Sequence, residues 1–549
     1  MKRFTLIAMV FALVLAVAGG ASAAELKVRG QVQAFGNGQD NWDFTKSKSV
    51  NNNFAYEDDF TIDERARLYF DFIANENLKF VLQLQVGNGR WGQDGFALGQ
   101  GDARTNTASA VRTRQAYLDF NLPDTLVNVK AGYMTVTLPG YVGGSAILDD
   151  EAGALLVSAP IIDKTLSVLV GYMRLMDNTN ANNTNNAVSG TGNGYGMRDE
   201  FDAAVLALPI KLDGIEAVPF FVYGWAGKDA LNDAWNSYTA QTGATTSATD
   251  TNRIRGLLSP GLSANTLNGI APLRFQKDIS AWWLGLTGKV TMFDPIWFAA
   301  GFNYGSLSGG GTRTDTTALG APAVAPWDSS KVNDRAGWLA DFAIGYTGLD
   351  MVKPKVWFAY SSGEDSDPTN GSERMPMLSN YLKYTPFWFG NSVSSSSGTM
   401  IGNVANANER AGFWALGLTL EKITFMDKLS QDFYFAYIKG TNSKSLLTDP
   451  NMPASVMAAS VSATSGAFSA NAYKPGQFLT TKDSLFEFDL NTTYKIYEEL
   501  SAIVELGYIV QSIDKDTWNT YYNLNGGTTD RTFKFSDAMK VMFGLSYDF

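Results

Sequence analysis

The sequence contains no cysteine and no histidine among its 549 residues. Their absence excludes a disulfide framework, a Cys/His zinc or haem site, and a Ser-His or Cys-His catalytic pair. An enzyme would therefore have to work with carboxylates, lysine, tyrosine or serine alone. Proline is scarce, with 17 residues against 53 glycines. No proline-rich or charged linker divides the chain into domains.

A positive charge excess is also missing, because 43 Lys and Arg residues face 54 Asp and Glu residues, a net charge of −11. This balance argues against a nucleic-acid-binding surface. Long hydrophobic runs are absent after Ala24, where nothing approaches 18 consecutive apolar residues. If the protein lies in a membrane, it does not cross it with helices.

The N-terminus has the three parts of a secretory signal peptide. Two positive charges precede an apolar stretch from Phe4 to Ala18, and a small-residue A-x-A site ends at Ala23. The apolar stretch is too short to span a bilayer, which takes about 20 helical residues. We therefore predict a signal peptide over residues 1–23 and an exported mature chain over residues 24–549.

The mature chain alternates apolar and polar residues with a period of two, which indicates strands with one wet face. In the second such stretch, Ala66, Leu68 and Phe70 lie opposite Arg67 and Tyr69. The alternation predicts eighteen strands, near residues 25–35, 60–72, 78–86, 115–120, 127–131, 152–159, 165–174, 198–208, 214–226, 278–288, 295–305, 336–346, 354–361, 411–420, 431–440, 484–494, 500–510 and 536–549.

The connections between these strands alternate between short turns and long loops rich in Ser, Thr, Asn and Gly. This pattern is typical of an outer-membrane barrel with short periplasmic turns and long extracellular loops. A propeller or β-helix would instead show a fixed repeat. The predicted fold class is all-β: a transmembrane antiparallel β-barrel of about 18 strands, with 16 as the alternative count.

Aromatic residues are expected where the strands of such a barrel cross the membrane interfaces. Several lie close to predicted strand ends: Trp282, Trp297, Tyr304, Trp338, Tyr346, Trp357, Tyr360, Trp414, Tyr494 and Tyr508.

The last predicted strand ends on an aromatic residue of its apolar face. Val541, Phe543, Leu545, Tyr547 and Phe549 alternate with more polar or small positions. This pattern resembles the C-terminal signature by which the barrel-assembly machinery recognises outer-membrane barrels. We expect these five residues to serve that purpose here.

Three segments, Glu64–Phe70, Arg114–Phe120 and Leu545–Phe549, carry a resemblance to the homotrimeric porins of Gram-negative bacteria such as sulfate reducers. The resemblance implies a homotrimer in the cell outer membrane, in contact with lipid and lipopolysaccharide. Each barrel would be a water-filled channel for passive diffusion of ions and small hydrophilic solutes, with no enzymatic activity, cofactor or metal. General diffusion porins have sixteen strands, so eighteen would mean a specific-channel architecture or one hairpin counted in error.

The polar faces of the first strands suggest a basic wall inside the barrel. Arg65 and Arg67 lie opposite apolar neighbours and should point inward from about mid-height. Arg29 and Lys130, on neighbouring strands, should do the same. We call these four residues the basic wall.

An acidic triplet, Asp149, Asp150 and Glu151, ends the predicted loop between the fifth and sixth strands, residues 135–151. In chain order this loop corresponds to the one that folds into the pore of general porins, where acidic residues face a basic wall. The resemblance thus implies a constriction with a transverse field, which would orient passing ions and water.

One alternative to this constriction remains open. The arginines of the second strand could pair locally with Asp63 or Asp71, leaving the acidic triplet as a solvated loop end.

Arg112 and Arg114 share the parity of Ala116 and Leu118 and are expected to point outward near the extracellular rim. There they would either contact lipopolysaccharide phosphates or a neighbouring subunit, or simply lie above the apolar band.

The main alternative function is a substrate-specific channel for sugars or small organic acids. Such a channel needs an aromatic track or a binding cluster in the lumen, for which Tyr69, Tyr117 and Trp283 are candidates. A barrel phospholipase or protease is disfavoured because those families use histidine. The sequence leaves the sign of the ion preference open.

Overall fold

Long antiparallel strands make up most of the chain that the computed structural model describes. The predicted signal peptide, residues 1–23, lies outside the described residues. The described residues are 25–41, 44, 59–91, 111–177, 200–227, 273–274, 277–309, 312–313, 334–367, 370–378, 382–392, 411–448, 475–476, 478–524 and 534–549.

One sheet of eighteen strands contains nearly all of the β-structure. Glu200–Ala207 and Ile210–Leu212 are two segments of one strand, β8, because both pair with the strand that follows. Pro209 between them has no backbone N–H and cannot donate to the ladder. In chain order the strands are β1 (Glu25–Asp40), β2 (Asp59–Asn75), β3 (Leu78–Arg90), β4 (Val111–Asn121), β5 (Asn128–Thr137), β6 (Asp149–Ile162), β7 (Leu166–Asp177), β8, β9 (Ile215–Ala226), β10 (Ile279–Phe293), β11 (Ile296–Ser308), β12 (Arg335–Tyr346), β13 (Lys353–Ser361), β14 (Phe413–Ile423), β15 (Leu429–Gly440), β16 (Ser484–Lys495), β17 (Leu500–Ser512) and β18 (Ala538–Asp548).

The sheet closes because the last strand pairs with the first. β18 runs antiparallel to β1, from Met539 opposite Asp40 to Asp548 opposite Gln31. Consecutive strands pair in the same antiparallel way around the rest of the sheet. A closed sheet bonds its backbone groups internally and leaves no edge, as a membrane interior requires. The predicted eighteen-strand antiparallel barrel is confirmed, and the alternative count of sixteen is wrong.

The connections alternate in length around the barrel. Those at one end, which we call the short-turn end, contain two to six residues. Those at the other end, which we call the loop end, contain 11 to 52 residues. The alternation predicted from the sequence is therefore present in the barrel.

The two faces of the wall differ in polarity. Outward side chains such as Phe72, Leu118 and Phe543 are apolar and 40%, 46% and 51% exposed. Inward side chains such as Gln33 and Gln85 are polar and buried. The outer face therefore suits hydrocarbon and the inner face suits water or polar contacts.

The aromatic residues near strand ends divide between the two faces. Trp338 and Tyr360 lie on the outer face near the loop end, with ring centroids 4.6 Å apart. Trp297 and Trp357 instead lie on the inner face, where Trp357 packs on Gly417 of the neighbouring strand. A Cβ at Gly417 would lie 2.2 Å from that indole, so only glycine fits there. The expectation that both tryptophans lie at a membrane interface is wrong.

Small elements at the loop end accompany the barrel. Two short helices, α1 (Ser445–Thr448) and α2 (Lys515–Leu524), contribute buried apolar side chains such as Trp518. Leu273–Arg274 and Thr312–Arg313 form a separate two-stranded ladder. Among the described residues, no helix has the length and apolar character needed to span a membrane.

Candidate functional site

Two of the long connections fold into the barrel from the loop end. Inner loop A, residues 138–148, joins β5 to β6, and its Ile147 and Leu148 are fully buried. Inner loop B, residues 370–378 and 382–392, belongs to the connection between β13 and β14. Its backbone reaches the inner face of the wall, where Trp283 donates its indole N–H to the Pro376 carbonyl at 2.8 Å.

One buried carboxylate on β16 anchors inner loop B. The Glu487 side chain accepts hydrogen bonds from the Thr385 hydroxyl at 2.7 Å and from the backbone N–H groups of Phe387 at 3.0 Å and Trp388 at 2.8 Å. Glu487 itself is fully buried. Hydrogen bonds to a buried charged group are among the stronger ones in proteins, so this contact fixes the loop across the lumen.

A second carboxylate, Asp341 on β12, joins the two inner loops to each other. It accepts hydrogen bonds from the Tyr384 hydroxyl of loop B at 2.7 Å and from the Gly143 N–H of loop A at 3.2 Å. The Gly143 carbonyl in turn accepts from the Lys383 N–H at 2.7 Å. A Cβ at Gly143 would lie 2.1 Å from the Tyr384 ring, so this contact requires glycine.

Burial, with the adjacent Asp341 carboxylate as a further cause, raises the pKa of Tyr384 well above its usual range. The phenol therefore stays protonated and acts as the donor in its hydrogen bond to Asp341. This direction of donation keeps the negative charge on the carboxylate, where the Gly143 N–H also points.

An aromatic cluster fills the space beneath inner loop B. The Tyr384 ring stacks on Trp357 at 4.8 Å and meets Phe389 at 4.9 Å. Phe389 also contacts Trp388 at 4.6 Å and Phe413 at 5.2 Å. All of these side chains are buried. This part of the barrel interior is thus a packed apolar core.

The inner face of β1–β4 carries the arginines of the basic wall. Arg65 is 3% exposed and donates from Nη2 to the Gln33 amide oxygen at 2.5 Å. Arg67 donates from Nε to the Gln85 amide oxygen at 2.9 Å. Both arginines therefore contact amide groups of the neighbouring strands.

Arg29 and Lys130, the other residues of the basic wall, contact carboxylates. Arg29 lies 3.7 Å from Asp71, and Lys130 lies 3.9 Å from Asp119. Lys130 is the third residue of β5 and so lies close to the short-turn end. The sequence left open whether Arg65 and Arg67 of β2 pair with nearby acidic residues. Such pairing is found at Arg29 and Lys130.

The acidic triplet opens β6 and does not end a loop. β5 continues to Thr137 and β6 begins at Asp149, because Thr137 pairs with Asp149 in register. The Asp149 carboxylate lies 3.5 Å from Lys383 of inner loop B. Asp150 accepts a hydrogen bond from the Glu151 N–H at 2.8 Å. The triplet therefore lies where inner loop B meets the wall.

Arg114 connects the acidic triplet to the arginines of β2. It forms an ion pair with Glu151 and donates to the Gln85 amide oxygen at 3.0 Å, the same oxygen that accepts from Arg67. A continuous chain of contacts thus runs from Arg67 through Gln85 and Arg114 to Glu151.

The prediction that Arg112 and Arg114 both point outward is wrong. Gln83 pairs with Gln115 whereas Leu84 pairs with Thr113, so β4 has one extra residue at Arg114. Such a bulge reverses the parity of every residue beyond it. Arg112 consequently pairs with Gln85, an inward residue, and Arg114 contacts that same side chain.

The residues of the predicted assembly signature lie on β18, except Phe549, which directly follows it. Phe543, Leu545, Tyr547 and Phe549 are 44–51% exposed and face outward. The Phe549 N–H donates to the Gly30 carbonyl at 3.0 Å, so the C-terminal residue contributes to the closing pair of strands. Their recognition by an assembly machinery stays a prediction.

Sequence reasoning missed inner loop B. The sequence feature that could have revealed this loop is an apolar run from Tyr384 to Phe389, preceded by Met375 and Met377. The run lies in a connection that was expected to be solvated. Large apolar side chains of this density are seldom left in water, so the run indicates burial. Among the described residues, no three acidic side chains are grouped so that they could hold a metal ion.

No protein-family model matches the chain. No curated protein sequence matches it either. Among solved structures, it is similar to Pseudomonas aeruginosa OprD, with 9% identity over 96% of this chain and 97% of that one, at a TM-score of 0.45. It is similar to P. aeruginosa OccK11 (OpdR), with 11% identity over 95% of both chains, at a TM-score of 0.44. It is also similar to the outer membrane channel DcaP of Acinetobacter baumannii, with 10% identity over 96% and 98% of the two chains, at a TM-score of 0.36.

Proposed function

We propose that this protein is an outer-membrane channel through which ions and small hydrophilic solutes diffuse passively. The observation that carries the proposal is the closed barrel with an apolar outer face and a polar inner face. Only a closed sheet or a helix satisfies its backbone in hydrocarbon, and only a polar lumen lets water through. Catalysis is not part of the proposal, since the chain has no histidine or cysteine.

The outer membrane of a Gram-negative cell is the proposed location, reached by export through the signal peptide over residues 1–23. In this setting the short turns face the periplasm and the long loops face outward. Membrane lipid and lipopolysaccharide surround the barrel, the assembly machinery reads the pattern of β18, and the working unit is a homotrimer. These partners rest on the resemblance to homotrimeric porins.

The conducting path is proposed to run beside β1–β4. The aromatic cluster under inner loop B excludes water from the opposite part of the interior. Arg67 borders the remaining space on one side, with the buried Arg65 behind it in the wall, and the triplet from Asp149 to Glu151 lies beside inner loop B. Charges of both signs beside a narrow path produce a local field, which would orient the ions and water that pass.

A substrate-specific channel for sugars or small organic acids is the second candidate. Inner loop B favours it, because a second constricting segment held by Glu487 and Asp341 reduces the open cross-section. A narrower lumen makes contact between wall and solute unavoidable, which is the condition for selectivity.

Conductance in planar bilayers, with a salt gradient to measure the reversal potential, distinguishes these candidates. An open channel gives a current that rises in proportion to salt, in steps grouped by three if the unit is a trimer. A specific channel gives a small current that one class of solute blocks. Correctly folded barrels that pass no current would contradict both proposals.

A further inference from the structure

A cavity of about 840 Å³ opens at the short-turn end of the barrel, below inner loop A. β8, β9 and β10 form its wall, and Tyr141 of inner loop A closes it from above. Three lysines face it, whereas only two acidic residues do. The charged residues that line it are Lys164, Lys211, Asp213, Glu216 and Lys289.

Three of these side chains form one row across the wall. Glu216 of β9 lies directly opposite Lys211 of β8 and directly opposite Lys289 of β10. Glu216 has the same parity as the buried Phe220 and Val222, which places the row on the inner face. The row therefore borders the path that a solute follows through the lumen.

The one carboxylate in this row is already engaged. The Tyr141 hydroxyl donates to Glu216 Oε2 at 2.9 Å, and Lys211 lies 3.8 Å from Glu216 Oε1. Burial and these contacts raise the pKa of Tyr141, so its hydroxyl remains a donor. Glu216 thus compensates Lys211 and holds inner loop A at the same time.

The other two lysines have no acidic partner. No carboxylate of the described residues lies within 4.0 Å of Lys289 or Lys164. The Lys289 ammonium instead lies over the Trp297 ring, 5.1 Å from its centroid, and the ring face attracts the cation. Lys164 has a positive φ of 57° in the turn between β6 and β7. Two ammonium groups of the described lining therefore face the cavity without an ion pair, and Asp213, the second carboxylate of the lining, leaves the cavity with an excess of one positive charge.

We propose that this cavity binds an oxyanion, the phosphate or carboxylate group of a solute on its way through the barrel. Lys289 and Lys164 supply the charge, and the Thr165 and Thr291 side chains at the rim supply hydroxyl groups. The proposal rests on the proposed channel function and adds to it the class of solute that is held on the short-turn side of the inner loops.

The test is binding of inorganic phosphate and of acetate to the folded full chain in detergent micelles. The ³¹P or ¹³C NMR signal of the anion is measured as protein is added. The titration is carried out at low salt because dissolved salt screens exposed charges. We expect saturable binding of at least one of the two anions. Phosphate binding alone identifies phosphate-bearing solutes, and acetate binding alone identifies carboxylates.

Variants connect the binding to the cavity. Lys289→Gln and Lys164→Gln are each expected to raise the dissociation constant about threefold to fivefold, the effect of losing one exposed charge contact. Lys289→Arg is expected to keep the affinity within about twofold, because it retains the charge. The matched control is Lys355→Gln, which removes one inward-facing charge that already bonds to Glu421 at 2.7 Å.

Absence of saturable binding of either anion would overturn the proposal, as would an equal loss of affinity in Lys355→Gln. Conductance of the unaltered protein in chloride is measured separately. A barrel that conducts but binds no oxyanion refutes the cavity and leaves the channel intact. A barrel that binds an oxyanion but passes no current refutes the channel and leaves the cavity intact.

Discussion

Replacing the carboxylate of Glu487 should release inner loop B from the lumen. In Glu487→Ala, three buried donors of the loop lose their acceptor, the Thr385 hydroxyl and the N–H groups of Phe387 and Trp388. Each unsatisfied buried donor costs about 1 to 3 kcal/mol, so the three together cost about 3 kcal/mol or more. Because about 1.4 kcal/mol changes an equilibrium tenfold, docking of the loop should weaken by about a hundredfold or more.

Two assays measure this effect. Single-channel conductance should rise in Glu487→Ala, because a loop that spends time outside the lumen opens a wider path. Trypsin should cleave faster after Lys383, which lies two residues before Thr385 and whose N–H bonds to the Gly143 carbonyl while the loop is docked. Glu487→Gln keeps one oxygen acceptor but turns an amide N–H₂ toward the donors. Its conductance and its cleavage rate should therefore rise less than those of Glu487→Ala.

The matched control for this experiment is Glu421→Ala, which removes a carboxylate from β14 that bonds to Lys355 at 2.7 Å. It should leave both conductance and the cleavage rate near those of the unaltered protein. Unchanged conductance and unchanged cleavage in Glu487→Ala, with the barrel folded, would refute the reasoning that Glu487 holds the loop.

Three further predictions concern other parts of the site. Gly143→Ala places a methyl group against the Tyr384 ring and should lower the free energy of unfolding by about 1 to 3 kcal/mol, measured as a fall in the melting temperature. Arg65→Gln combined with Arg67→Gln should shift permeability toward cations by about twofold to fivefold, since each nearby charge contributes about 1 kcal/mol or less in water; the reversal potential in a salt gradient measures it. Burial raises the pKa of Glu364 from 4.5 to about 7, so the folded protein binds this proton more tightly than the unfolded chain does. The contribution of this group to stability is therefore complete below pH 4.5 and is lost as the pH rises through about 7, a loss of about 3 kcal/mol, and denaturation of Glu364→Gln should lack that loss.

Each of these has a control. Gly153→Ala meets no atom within 4 Å and should leave the melting temperature unchanged. Lys130→Gln, whose charge already faces Asp119 at 3.9 Å, should change the reversal potential less than the arginine pair does. Glu373→Gln should retain most of the pH dependence, because its side chain is less buried than that of Glu364. Equal effects in variant and control would contradict the corresponding prediction.

The barrel itself could be predicted because a wall with water on one side and hydrocarbon on the other requires alternation at every strand. The rule that every second residue faces outward placed Arg65 and Arg67 on the inner face, where they contact Gln33 and Gln85. The rule fails where the period changes. The extra residue at Arg114 reverses the parity of β4, and nothing in the local sequence marks such a bulge.

The interior of the barrel could not be predicted in the same way. Whether Trp357 meets lipid or another side chain depends on a loop that arrives from elsewhere in the chain. The carboxylates Asp341 and Glu487 gave no signal either, because their partners are residues 43 or more positions away. The apolar run from Tyr384 to Phe389 was the available signal, and its meaning depends on the fold around it.

The aromatic cluster under inner loop B gives this barrel a heat-capacity signature that a water-filled one would lack. The outer face of a barrel stays coated with detergent or lipid during unfolding, so it exposes little new apolar surface to water. Trp357, Phe389 and Phe413 have no such coat, since protein alone covers them. Hydration of newly exposed apolar surface raises the heat capacity on unfolding. Docking of inner loop B should therefore depend strongly on temperature and weaken on cooling as well as on heating. The open fraction of the channel would then pass through a minimum at an intermediate temperature.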